Sequence, residues 1–153
     1  MTSTPIVETK LFVPRPRDGL VRRPRLDDLL GAHSRLTLIS APAGFGKSTL
    51  LTSWLAGQSQ SPVAWVSFDE GDNRPEVFWS YVLTALERAA PGTGASGLTL
   101  LDSGQPIESV LAAVLNELSV LPTDVILVLD DYHLAESADL QAYTLSLHDA
   151  LPA

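Results

Sequence analysis

The sequence has no cysteine, which excludes disulfides and thiolate metal sites and gives no sign of an oxidising compartment. No apolar run reaches the roughly 18 residues of a membrane span, and no basic start followed by a long apolar core suggests a secretory signal. A cytoplasmic location without membrane partners is therefore the expectation. Basic residues are scarce beyond the first third. Residues 48–153 hold two Lys/Arg against fourteen Asp/Glu, whereas residues 1–47 hold eight against four, within a net charge of −8. The acidic part repels nucleic acid at long range. Of the three histidines, His33 and His148 have no partners at metal-ligand spacing, and His133 reads as an ordinary loop histidine. What remains is 45% hydrophobic and 18% charged over 153 residues, enough for one globular domain with a core.

The most informative stretch is Ala41-Pro-Ala-Gly-Phe-Gly-Lys-Ser48. It follows an apolar strand-like run at 36–40 and precedes a helix-like run at 48–56. Strand, glycine turn and helix in that order is the setting of a Walker A phosphate loop. Backbone N–H groups of Ala43, Gly44, Phe45, Gly46 and Thr49, with the helix N-terminus behind them, suit a triphosphate. Gly46 lets the backbone come close without a Cβ in the way. Lys47 supplies a point charge for the β and γ oxygens, and the Ser48 hydroxyl suits Mg²⁺. The usual first glycine is Ala41, so the pattern is A-x-x-x-x-G-K-S. Gly-Lys-[Ser/Thr] alone arises by chance in roughly one chain in ten of this length; the flanking strand and helix carry the argument.

Residues 1–19 read as an extended arm with Pro5, Pro14, Pro16 and Gly19, and residues 25–31 as a short helix. The basic arm and short helix together occupy 1–35. Its arginines alternate with prolines just ahead of the phosphate loop, which favours a place near the nucleotide over a DNA-binding arm. A second strand is expected at 63–68, apolar on nearly every position, as when both sheet faces are covered. Pro75 suits the first turn of a helix that carries Phe78, Val82, Ala85, Leu86 and Ala89 at helical spacing, and Pro91-Gly92 ends it. Residues 91–104 are glycine-rich and read as a flexible loop. A further helix starts at Pro106, with Ile107, Val110, Leu111, Val114, Leu115 and Leu118 on one stripe. The third strand is placed at 125–129. This βαβαβ alternation implies an α/β fold with a parallel sheet and helices on both faces.

The third strand runs into Asp130-Asp131. Carboxylates at the C-terminal end of a parallel strand lie where open α/β sheets bind ligands. Asp130 is placed to hold Mg²⁺ through water, as a Walker B acid. Asp131 is placed to orient, or take a proton from, the water that attacks the γ-phosphate. Asp69 and Asp72 follow the second strand; facing the site and capping a turn ahead of Pro75 explain them equally well. Trp54, Trp65 and Trp79 sit on apolar faces and read as core.

Three blocks, Ala41 to Ser48, Trp65-Val-Ser-Phe-Asp-Glu-Gly-Asp-Asn73 and Leu127-Val-Leu-Asp-Asp-Tyr-His133, resemble the N-terminal NTPase region of MalT-like, LuxR-type transcriptional regulators. The arm, Thr9-Lys-Leu-Phe-Val-Pro-Arg-Pro-Arg17 with Leu20-Val-Arg-Arg-Pro-Arg-Leu26, is similar too. The resemblance covers about 9–142 and implies a P-loop NTPase of the signal-transducing class with numerous domains, related to the AAA ATPases. It implies ATP binding as a switch, Lys47 and Ser48 on phosphates and Mg²⁺, Asp130 on Mg²⁺, Asp131 in catalysis, and Arg23 near the adenine. The glycine that precedes that arginine in the wider class is Arg22 here. An inducer, DNA contact through a C-terminal helix-turn-helix, and self-association of the ATP-bound form are implied for the full-length regulator.

In the class resembled, a further strand lies between the first and third strands and comes later in sequence. Residues 143–153 do not match it and read as a non-native tail after a truncated P-loop core at 36–142, so little turnover is expected from this chain alone. Two other readings are a different or stand-alone AAA-type ATPase, which shares both motifs, and a small-molecule kinase. The kinase would need lid arginines after the third strand, and Arg88 is the last arginine in the chain.

Overall fold

Two five-residue runs rich in β-branched and large apolar side chains make the sheet. In the computed structural model of the chain, the described residues are 5–14, 25, 47–57, 61–122 and 125–131. The expected first strand at 36–40, the loop at 41–46, Arg22, Arg23, the histidines and the tail lie outside them. Residues 1–12 and 61–152 form one compact unit, and residues 13–60, with residue 153, another. In the second unit, helix α1 spans Lys47–Ala56, with Thr52 and Leu55 buried.

In the first unit, β1 (Val63–Ser67) pairs in parallel with β2 (Ile126–Asp130), with Val63 opposite Ile126 and Ser67 opposite Asp130. Ala64, Trp65 and Val66 are buried in succession. Because successive side chains leave opposite faces, both faces of β1 are covered. Ala64, Val66 and Phe68 join the helical core, with Leu127 and Leu129 packed against it. Trp65, Ser67, Val128 and Asp130 take the other face, where Trp65 Nε1 donates to Ser67 Oγ at 2.9 Å. The third strand sits one residue later than expected, and the shift brings Asp130 into the pairing. This is a mixed α/β architecture with a parallel pair, as expected.

Three helices fill the crossover: α2 (Pro75–Ala89), α3 (Ala95–Asp102) and α4 (Ile107–Ser119). Pro75 sits in the first turn of α2, as the sequence suggests. Seven consecutive residues, Val77 to Leu83, are buried, so α2 is enclosed all round instead of showing one stripe. The rings of Phe68 and Phe78 stack at 4.7 Å, and Phe78 meets Trp79 edge-on at 5.1 Å. The α4 stripe is as expected, with Val110, Leu111 and Val114 buried. Among the described residues no helix is long and apolar enough to cross a membrane.

Residues 91–104 are not the expected flexible loop, since α3 occupies most of them. The glycines there serve close approach. A Cβ on Gly94 would lie 2.2 Å from the carbonyl oxygen of Leu83, and one on Gly97 would meet Val114 Cγ2 at 3.0 Å and Leu83 Cδ2 at 3.1 Å. Gly92 does supply a turn, at φ +95°. Glu87 then caps the entry to α3. Its carboxylate accepts from the N–H groups of Gly92 at 3.1 Å, Gly94 at 2.8 Å and Ala95 at 3.0 Å. Those donors, Gly92 first, hold the Glu87 carboxyl below its ordinary 4.5. Thr93 is fully buried, with its hydroxyl donating to the carbonyls of Leu86 and Ala90.

Two outcomes are expected. Gly94→Ala drives a methyl into backbone and should cost about 3 kcal/mol, whereas Gly92→Ala, in open space, should cost only about 1–2 for its left-handed backbone. Urea unfolding of the pair checks the order, and the reverse order would contradict the packing at Gly94. For Glu87, a depressed carboxyl contributes stability above its unfolded value and loses it as pH falls through the folded value. The deficit of Glu87→Gln relative to wild type should therefore be largest near neutrality and shrink below about pH 4. A pH-independent deficit would mean that the charge plays no part.

Candidate functional site

A parallel pair presents one common C-terminal end, and four of the acidic residues singled out from the sequence gather there. Asp130 is the last residue of β2 and is buried. Its carbonyl accepts the N–H of Phe68 at 3.0 Å, which ties the end of β2 to the residue after β1. Its place in the register gives it the face of Trp65 and Ser67, opposite the helical core. Asp131 comes next, half-buried, with φ +53°. It is the one described non-glycine residue in the left-handed region. Asp tolerates that region better than most side chains, and such backbone clusters at functional positions. The adjacent carboxylates are thus held differently, Asp130 inside the ladder and Asp131 just past it.

Asp69 and Asp72 prove to be turn residues. Asp69 begins a short 3-10 turn, Glu70–Asp72, by accepting the N–H of Gly71, while the Asp72 carboxylate accepts the N–H of Asp69 at 2.9 Å. Both are bound to Lys10, which the sequence reading left without a role. Lys10 Nζ lies 2.7 Å from Asp69 Oδ2 and 3.0 and 2.8 Å from the two oxygens of Asp72. It also stands 4.9 Å above the Tyr81 ring. Desolvation opposes the Lys10 charge, yet the bonds to Asp69 and Asp72 outweigh it and hold the ammonium above its ordinary value. The Lys10 bond is likewise the chief reason why the Asp69 carboxyl titrates low.

The arm around Lys10 is correspondingly not plain extended chain. Glu8–Leu11 forms one 3-10 turn, Leu11 is buried in the core, and the N–H of Val7 donates to Tyr81 Oη at 3.1 Å. The signal for this was present in the sequence, because Lys10 is central to the Thr9-Lys-Leu-Phe block. Nothing local, however, tells that its partner Asp72 lies 62 residues away.

Of the residues expected to form a phosphate loop, Ala43, Gly44, Phe45 and Gly46 lie outside the described residues, as does Arg23. Lys47 and Ser48 are the first residues of α1, one residue earlier than the expected helix. Thr49 follows, half-buried, and its carbonyl accepts from the Thr52 hydroxyl at 3.0 Å. Arg25 is helical and exposed. Among the described residues no group of three or more His, Cys, Asp or Glu is gathered as a metal cage. Trp65 and Trp79 are core, as expected, while Trp54 is half-buried.

No protein-family profile matches the chain. The chain is 41% identical over 133 residues to the HTH-type transcriptional regulator MalT of Cronobacter sakazakii, a match that takes in 84% of this chain and 14% of that protein. A match of that extent includes residues 41–48 wherever it begins. The chain therefore carries a MalT-like region and spans about one seventh of the length of the relative it matches.

Proposed function

We propose that this chain is the N-terminal part of the ATP-binding switch of a MalT-like transcriptional regulator, a P-loop NTPase fold of which the described parallel pair is one portion. The observation that supports this most is Asp130-Asp131 at the C-terminal end of a parallel strand, with Asp130 buried. It follows, in sequence, the pattern Ala41 to Ser48 inside the MalT-like region.

The residue types fit ATP with Mg²⁺. Asp130 and Ser48 each carry a hard oxygen donor of the sort Mg²⁺ takes. Magnesium, when bound, would supply charge neutralisation at the β and γ oxygens. Lys47 adds a positive charge, and the N–H groups of residues 43–49 orient the phosphates. Arg23 takes the adenine side. Asp131 orients the attacking water and accepts its proton. Asp131 also stands on a left-handed backbone just past the ladder, whereas Asp130 is paired within it. In the full-length regulator, inducer binding, DNA contact and self-association belong to further segments.

Titration of labelled ATP against the full-length regulator tests the reading. Lys47→Ala should weaken binding by at least about tenfold, or roughly 1.4 kcal/mol, and unchanged affinity would remove the central claim. Asp131→Asn is the clean catalytic variant, because Asn tolerates positive φ whereas Ala would add backbone strain. It should keep ATP and lose hydrolysis by about 10²-fold or more. Equal loss of both would mean that Asp131 serves binding.

A further inference from the structure

We propose that residues 6–11 are a detachable strap, fastened across the outside of the core by side-chain charge and able to leave its seat while the sheet and helices stay folded. Its release uncovers the buried Asp72 and takes the cation from both Asp72 and the exposed Asp69, just after β1. The strap is therefore a charge switch at that end of the sheet: seated, Lys10 offsets one of the two negative charges of the pair, and released, both carboxylates are left without that cation.

The fastenings are few. Lys10 binds Asp69 and Asp72 and caps the Tyr81 ring. Glu8 pairs with Arg88 at 2.5 Å, an exposed contact of the sort that adds little. Val7 N–H donates to Tyr81 Oη, the one bond described from the strap backbone to the rest of the unit. The strap adds no strand to the sheet among the described residues. Its apolar anchorage is Leu11, with Ile6 partly buried against the core. Val7 and Phe12, at 50% and 58% exposure, face water.

A segment woven into the core would lose its contacts only with the whole fold. A segment held at one charged node opens alone, in a sub-global unit of its own. Lys10 is that node, because Asp72 is 3% exposed and a buried carboxylate stripped of its cation is strongly disfavoured. Removing the Lys10 charge therefore expels the strap and hydrates Asp72. The inference stands on these contacts and is independent of the nucleotide reading.

Native-state hydrogen exchange on the full chain tests it. In the wild type, the Val7 and Lys10 amides should exchange at least about tenfold faster than those of β1 and β2. Lys10→Met should accelerate the strap amides at least about tenfold more and leave 63–67 and 126–130 within about twofold. Tyr81→Phe removes only the Val7 acceptor and keeps the ring, so it reads out strap opening even if Lys10→Met fails to fold. It should speed Val7 exchange without moving the sheet. Strap and sheet amides exchanging together in all folded forms would overturn the proposal, as would strap exchange indifferent to both substitutions.

Discussion

The unit containing the sheet depends on the burial of both faces of β1. Ala64, Trp65 and Val66 are buried in succession, and a strand covered on both sides pairs most readily in a parallel arrangement. Parallel pairing in turn demands a long crossover, because no hairpin can join two strands running the same way. Here the crossover is the whole run from Phe68 to Val125, and α2, α3 and α4 lie within it. The same pairing fixes the register that sets Asp130 opposite Ser67. The position of the acid pair is thus a consequence of how β1 is covered.

Enclosing α2 on every side sets a second condition. A helix buried from Val77 to Leu83 needs neighbours that come very close, and α3 does so through Gly94 and Gly97. Glycine composition there reflects contact distance, not chain freedom. The turn between α2 and α3 is short of apolar side chains. The Glu87 carboxylate and the Thr93 hydroxyl instead satisfy the backbone groups that the two helix ends leave open.

The elements most legible in the sequence were those with a local cause. Pro75 and the 3.6-residue spacing defined α2 and α4, and unbroken apolar runs defined β1 and β2. Asp130 was placed correctly at a strand end, but its membership of the ladder was not legible, because a run of apolar residues does not reveal where pairing stops. Residues 91–104 were misread because Gly, Ser and Thr look alike whether they serve a loop or a close helix contact. The role of Lys10 was illegible for a different reason: its partners come from a turn and a helix far along the chain. Asp69 and Asp72 were an even choice between site and turn until the 3-10 geometry and the Lys10 contacts decided for the turn.

Charge placement gives the last step. The segment from residue 1 to 47 carries an excess of basic residues over acidic ones, and read as a sequence that excess suggests a cationic arm available to an anion. At Lys10 the structure shows otherwise. The Lys10 cation is bound to two carboxylates of the same unit, and the nearby Glu8 is bound to Arg88. At residues 5–14 the positive charge therefore holds the arm to the acidic body that follows and is not offered to phosphate or nucleic acid. Any anion-binding capacity of the basic segment has to come from its arginines after Pro14 and from Lys47. That placing is consistent with the phosphate loop proposed further along the chain, and it makes residues 6–11 an internal fastening of the fold.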